Sequence, residues 1–258
     1  MLCKPAPKIQ DLIRSLDDAE WQGSLYDLLR TQTLNQVEVN QFELMCKVLD
    51  MSTFGHVDWV RTSYYFRELK LPVEVEMQLI QDTWSEMLIL DQMYHRMHNS
   101  LPDETELPNG QKFNLLSLGL MGVPSMANKF HKISENLKQL CFDSADYICL
   151  KFILLLNAGA VQNNGACKQH VHEANEQVHE ILLKHCQTCH PNVPEKYNQL
   201  LAQIPKLSSM ARRGVEFLYF KHMEGDAAHA TLLIELLHVT IFCDGLGLKQ
   251  THIAQLMP

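Results

Sequence analysis

Two segments of this 258-residue chain are apolar around nearly the whole circumference of a helix, and they constrain its fold more than any other feature. They cover residues 84–90 and 147–156. A helix that is apolar on all sides is stable only where other elements cover it. Amphipathic patterns at helical spacing flank both segments, and the strand patterns that a βαβ enzyme requires are missing from the sequence. The sequence therefore predicts one mostly helical domain whose central helices lie between outer ones.

The spacing of apolar residues also predicts where the helices lie. They are expected at residues 21–29, 37–69 with a break near 52–55, 73–97, 124–140, 147–156, 170–190, 195–223 with a kink at Pro205, and 228–238. In the second of these, the inward stripe includes Phe42, Met45, Leu49 and Phe54. Asn-Gly at positions 109–110, between apolar flanks, predicts a small β-hairpin. Residues 157–165 are expected to form a loop.

Composition excludes several classes of protein. Hydrophobic residues make up 46% of the chain and charged residues 20%, which argues against disorder and against a coiled coil. The formal net charge of -8 argues against direct binding of nucleic acid, because phosphate contacts need a basic surface. No apolar run approaches the ~20 residues of a membrane span. The eight cysteines are expected to be free thiols in a reducing compartment.

Two short patterns suggest a haem or metal site, and each also has a simpler interpretation. Cys186-x-x-Cys189-His190 matches the pattern that attaches c-type haem, so a haem or redox protein is one hypothesis. Four histidines share the preceding helix, but they lack the i,i+4 pairing that clamps a metal, and a solvated polar face is favoured. Motifs of nucleotide-binding, hydrolase and metalloprotease sites are missing from the sequence. We expect neither a metal site nor an enzyme.

Several segments together resemble the ligand-binding domain of a nuclear receptor. The family signature is matched by residues 66–69 (FREL), 77–81 (MQLIQ) and 84–91 (WSEMLILD). Segments 42–50, 101–111, 116–124, 149–157 and 232–238 resemble the fushi tarazu factor / steroidogenic factor / liver receptor homologue branch, and most of all its arthropod fushi tarazu factor members.

The resemblance implies an all-α, three-layer helical sandwich with a small β-hairpin. The domain is expected to span residues 9–238, after a leader at 1–8 and before a C-terminal tail at 239–258 of unknown structure. The family also implies a nuclear transcription factor that is a monomer and contacts DNA only through a domain that this chain lacks. Its expected partners are coactivators or transcription factors that carry LxxLL helices, with corepressors as a further class.

By the same resemblance, a coregulator helix would bind a groove completed by the last helix, the activation helix. Arg61 matches the basic end of the family's charge clamp and Glu235 the acidic end. The peptide's terminal carbonyl and N–H groups are the groups that such charges can bind. The other expected groove residues are Val57, Met77, Ile80, Gln81, Leu232, Leu233, Leu236 and Leu237.

Whether the domain binds a small ligand is left open by the sequence. Vertebrate-type members of the branch resemble phospholipid receptors, in which a Gly, a Tyr and a Lys hold the headgroup. Here the corresponding positions are Gly122, Phe217 and Lys221, so the tyrosine hydroxyl is missing. If the apolar residues Leu116, Leu118, Leu120 and Met121 turn inward, they fill the cavity. Ligand-independent activity without a cofactor is therefore favoured, and the alternative is a phospholipid-binding regulatory or carrier domain.

Overall fold

The computed structural model describes residues 7–16, 18–157, 165–226 and 230–243. Most of these residues are helical, and a two-stranded antiparallel sheet interrupts the helices. The helices are α1 (Pro7–Ile13), α2 (Asp18–Thr33), α3 (Gln41–Thr62), α4 (Tyr64–Glu68), α5 (Val73–His98), α6 (Leu116–Gly119), α7 (Ala127–Gln139), α8 (Ser144–Leu155), α9 (Gly165–Cys189), α10 (Lys196–Leu201), α11 (Ile204–Met223) and α12 (Thr231–Cys243). The strands are β1 (Glu104–Glu106) and β2 (Lys112–Asn114), and a 3₁₀ turn (Pro124–Met126) precedes α7.

Helices α5 and α8 contain the two segments that are apolar on all sides, and they form the centre of the sandwich. Helix α5 packs against α3, α8, α11 and α12, and α8 packs against α5, α9 and α1. Every residue of α8 from Ala145 to Leu155 is buried. The predicted all-α layered fold is confirmed. The hairpin is confirmed as well, with Thr105 paired to Phe113 in its middle.

The expected break in the second predicted helix lies at a different place. Helix α3 continues through residues 52–55 and ends at Thr62, because the next residue, Ser63, has a non-helical ψ of 121°. The inward face at 52–56 is polar, since Ser52, Thr53 and His56 are buried there. Phe54 is 53% exposed, so its assignment to the inward stripe was wrong. The apolar pattern gave a wrong prediction because the inward-facing position in this turn of α3 is occupied by His56. This side chain pairs with Asp91 of α5.

Residues 195–223 form two helices rather than one kinked helix. Helix α10 ends at Leu201 and α11 begins at Ile204, so Pro205 lies in the first turn of α11. A proline is well tolerated there because a first-turn N–H has no partner within the helix. Helix α12 extends beyond the predicted end at residue 238 and reaches Cys243.

Some expectations fall outside the described residues. These are most of the leader, at 1–6, the loop residues 158–164, the predicted start of the last helix at 228–229, and the tail from 244 to 258. Among the described helices, none combines the length and the hydropathy needed to cross a membrane.

Candidate functional site

Helix α12 lies on a surface formed by α3, α5 and α11. Its side chains Leu233, Leu236 and Leu237 are buried, at 0%, 4% and 1% exposure, and Leu232 is half-buried against the same core. Glu235 is exposed on the opposite side of the helix. The leucine pairs thus hold α12 on the domain, while the acidic side chain remains available to a partner.

Two long-range hydrogen bonds hold the ends of α12. At its start, the backbone N–H of Leu233 donates to Oδ1 of Asp50 in α3 at 2.8 Å. The first N–H groups of a helix have no partner within the helix, so Asp50 acts as a cap supplied by another element. Near its end, Nε1 of Trp84 in α5 donates to Oγ1 of Thr240 at 3.1 Å. Neither contact could be predicted from local sequence, because the partners lie 183 and 156 residues apart.

The predicted groove residues lie on three helices that pack against one another, α3, α5 and α12. Arg61 is exposed in the last turn of α3, one turn after the half-buried Val57. On α5, Met77 is 41% exposed and Ile80 only 3% exposed, while Gln81 is half-buried. The surface therefore combines an exposed apolar side chain with a cation on α3 and an acid on α12.

Glu76 is a charged neighbour of Arg61 that the sequence did not single out. Partial burial raises the pKa of Glu76 above its usual value, although the positive charge of Arg61 acts in the opposite direction. The two side chains therefore interact between α3 and α5, and a ligand that engages Arg61 does so beside an acid.

The three expected ligand residues lie near the end of α6 and along α11. Gly122 has a φ of +81°, and a Cβ there would lie 2.8 Å from Cε1 of Phe217. The Phe217 ring therefore closely approaches the glycine backbone. Nζ of Lys221 donates to Oε2 of Glu224 at 2.9 Å and to Oδ2 of Asp226 at 3.3 Å. The side chain with the expected headgroup charge is thus already bound to two carboxylates.

The segment around α6 turns its large side chains into the core. Leu116, Leu118, Leu120 and Met121 are all buried, at 9% exposure or less. Met121 packs so tightly on α11 that a Cβ at Gly214 would lie 2.6 Å from its sulphur. These four side chains therefore point inward, as a filled interior requires.

The Cys186-x-x-Cys189-His190 motif lies at the end of α9 and just beyond it. Cys186 is buried, and burial together with the charge of Asp146 raises the pKa of its thiol to about 12. His170 and His172 are exposed on α9, in agreement with a solvated polar face, whereas His185 is 6% exposed. The motif's histidine, His190, approaches Asp143, which caps α8.

Comparison with known proteins assigns the domain and its fold to a family. Residues 30–224 match the family model described as the ligand-binding domain of nuclear hormone receptor. The chain belongs to the nuclear hormone receptor family. Members of this family are transcription factors and not enzymes, which confirms the expectation that the chain is no enzyme.

Individual relatives place the domain in the predicted branch. It is 47% identical over 233 residues to nuclear hormone receptor FTZ-F1 of Drosophila melanogaster and 48% identical over 236 residues to that of Bombyx mori, covering 90% of this chain in each case. It is 31% identical over 228 residues to nuclear receptor subfamily 5 group A member 2 of Mus musculus, covering 86% of this chain. The crystal structure of the ligand binding domain of Fushi tarazu factor 1 of Drosophila melanogaster superimposes with a TM-score of 0.87 at 46% identity, covering 92% of this chain and 96% of that one.

The chain corresponds to only part of these receptors. It spans 22% of the length of the Drosophila protein, 43% of the Bombyx protein and 40% of the mouse protein. The match covers the ligand-binding domain, whose general role in this family is to bind coregulator proteins.

Proposed function

We propose that this nuclear receptor domain recruits coregulators by binding their LxxLL helices beside α12. The observation that carries the proposal is the position of α12, which Asp50 and Trp84 hold against α3 and α5. In this position the exposed Glu235 and the exposed Arg61 lie on neighbouring helices. A short amphipathic helix can place its leucines on the apolar surface between them.

The two charges suit the two ends of a helix. The C-terminal carbonyls of a bound peptide carry the negative end of its dipole, so the Arg61 guanidinium can donate hydrogen bonds to them. The N-terminal N–H groups have no partner within the peptide, and the Glu235 carboxylate can accept from them. Met77 supplies an exposed apolar contact, and Val57, Ile80 and Gln81 border it on the same helices.

We infer that this groove works without a small ligand. The four buried side chains at 116, 118, 120 and 121 supply the apolar burial that a ligand would otherwise provide. Contacts of α12 with Asp50 and Trp84 support a position that is kept without a bound molecule. Ligand-independent recruitment is therefore the favoured function of the domain.

The alternative is a phospholipid-binding regulatory or carrier domain. It is supported by a surface depression of about 490 Å³ that Gly122, Phe42 and Met45 line, with Phe217 close to Gly122. A headgroup phosphate would have to compete with Glu224 and Asp226 for Lys221. Since that competition weakens anion binding, we favour the ligand-independent function.

Further proposals concern the whole receptor, its oligomeric state and its partners. We propose a nuclear transcription factor that acts as a monomer and contacts DNA through a domain outside this chain. LxxLL-containing coactivators or transcription factors are its proposed partners, and corepressors are a further class for the same groove. The proposed domain limits are 9–238, although α12 continues to Cys243.

Fluorescence polarisation with a labelled LxxLL peptide tests the groove. Arg61→Ala and Glu235→Ala should each weaken binding about tenfold or more, because each removes charge-assisted hydrogen bonds. Arg212→Ala and Glu180→Ala change exposed side chains on other helices and should leave the affinity unchanged. Circular dichroism should show the parent's helical spectrum for all four variants. Unchanged affinity in both groove variants would contradict the assignment.

A further inference from the structure

Four potential metal ligands meet where α8 begins and α9 ends. Asp143 and Asp146 belong to the start of α8, and His185 and His190 to the end of α9. One ligating atom from each side chain lies within 4.8 Å of the others. The cluster is separate from the proposed coregulator groove, which involves α3, α5 and α12.

The two carboxylates each use one oxygen to build the helix start. Asp146 N–H donates to Oδ1 of Asp143 at 2.9 Å, and Asp143 N–H donates to Oδ2 of Asp146 at 3.0 Å. Nζ of Lys196 lies 2.7 Å from the same Oδ2 of Asp146. These bonds fix the orientation of both carboxylates, as outer partners do for metal ligands. They leave Oδ2 of Asp143 and Oδ1 of Asp146 for the histidines.

The histidines approach these two oxygens unequally. Nε2 of His185 and Nε2 of His190 each lie 2.9 Å from Oδ2 of Asp143. Oδ1 of Asp146 is 3.9 Å from Nε2 of His185 and is buried, and it has no hydrogen-bond partner among the described residues. The Asp146 side chain is 0% exposed. A buried carboxylate oxygen without a partner is costly, and a cation at this point would offset that cost.

We propose that Asp143, Asp146, His185 and His190 bind one divalent zinc-type ion. Zinc bonds to imidazole and carboxylate are about 2.0–2.2 Å long, so tetrahedral ligands lie about 3.3 Å apart. Three of the six separations are 2.9, 2.9 and 3.9 Å, and one ligand atom of each residue lies within 4.8 Å of the others. Side-chain rotations that bring these atoms to about 3.3 Å from one another would form the site.

The donor set favours zinc over calcium or magnesium. Those two ions prefer sites made of oxygen ligands, whereas imidazole suits zinc and related transition metals. Lys196 also compensates one of the two carboxylate charges, which disfavours an ion that relies on anionic ligands. Coordination through Nε2 of His185 moves its proton to Nδ1, which has no hydrogen-bond acceptor among the described residues, so the metal bonds must offset the cost of this buried N–H group.

The proposed ion would have a structural role. Four protein ligands leave no open position in a tetrahedral site, which is typical of structural rather than catalytic zinc. The ion would join the start of α8 to the end of α9, two helices that pack closely along the domain. This role also accounts for His190 of the CxxCH motif without haem.

Zinc binding by the purified full chain tests the proposal. After chelation and dialysis, isothermal titration with Zn²⁺ should give one site per chain, and Zn²⁺ should raise the melting temperature. His190→Asn should lose this site, because the partly exposed His190 supplies one ligand. His172→Asn, which changes an exposed histidine on the same helix, should bind Zn²⁺ as the parent does.

Co²⁺ binding tests the tetrahedral coordination geometry of the proposed site independently. The parent and His172→Asn should show the intense visible absorption of tetrahedral Co²⁺, and His190→Asn should not. Circular dichroism establishes that the variants are folded. The proposal is overturned if the parent binds no Zn²⁺, or if His190→Asn binds it with unchanged stoichiometry and affinity. The first of these outcomes requires no variant and decides the matter even if His190→Asn does not fold.

Discussion

At the scale of single residues, the most consequential arrangement is the buried set of polar groups around Asp91. Its Oδ2 accepts from Nε2 of His56 at 2.7 Å and from Nζ of Lys151 at 2.8 Å, and its Oδ1 accepts from the hydroxyl of Tyr147 at 2.8 Å. Burial alone would raise the pKa of Asp91, but the charge of Lys151 and the contacts with His56 hold it well below its usual value. The group links α3, α5 and α8 in the centre of the domain.

Asp91→Ala should therefore be strongly destabilising. It leaves the buried Lys151 ammonium without its carboxylate partner, and breaking such a pair costs about 3–5 kcal/mol. The free energy of unfolding from urea titrations measures this cost. Glu104→Ala breaks the exposed Lys112–Glu104 pair and should cost less than about 1 kcal/mol. A similar small cost for both variants would show that the buried pair does not stabilise the fold.

At the scale of elements, the contacts that hold α12 determine whether the groove is complete. Asp50 caps the helix from α3, and Trp84 binds Thr240 near its other end. Ile241 is 6% exposed, so the part of α12 beyond residue 238 also packs on the domain. The stretch that the sequence assigned to a tail thus begins as the last turn of the activation helix.

Removing the cap should loosen α12 without unfolding the domain. Asp50→Ala leaves the N–H of Leu233 unbonded, at a cost of about 1 kcal/mol, which is typical of a lost helix cap. Hydrogen exchange should become faster in α12, and LxxLL peptide affinity should fall several-fold. Asp58→Ala changes an exposed carboxylate on the same helix and serves as the matched control. Equal exchange rates in α12 of the two variants would refute the role of Asp50.

The elements also show how far sequence reasoning reaches. Helices α5 and α8 were predictable because a helix that is apolar on all sides is stable only in the middle of a domain. The exposure of Phe54 was not, since a buried pair of polar residues, His56 and Asp91, replaced the apolar stripe. The groove residues came from resemblance, whereas the capping by Asp50 depends on a contact across 183 residues. The histidine–aspartate cluster was missed because its members come from two helices.

At the level of the whole molecule, packing and charge both support a domain that recruits proteins without a small ligand. The segment before α7 fills the interior between α3, α5 and α11 with its own side chains, and α12 closes over α3 and α5. The net charge of -8 agrees with a domain that meets proteins rather than nucleic acid. These contacts support the proposal that the domain holds its activation helix in place without a bound ligand.

Native mass spectrometry of the purified chain mixed with an LxxLL peptide distinguishes ligand-independent from lipid-dependent recruitment. We expect a complex of one chain and one peptide, formed by protein that carries no lipid mass. Proposed zinc would add only the mass of an ion, which is readily distinguished from a phospholipid. Ligand-independent recruitment is contradicted if the peptide is found only on chains that carry a co-purified lipid.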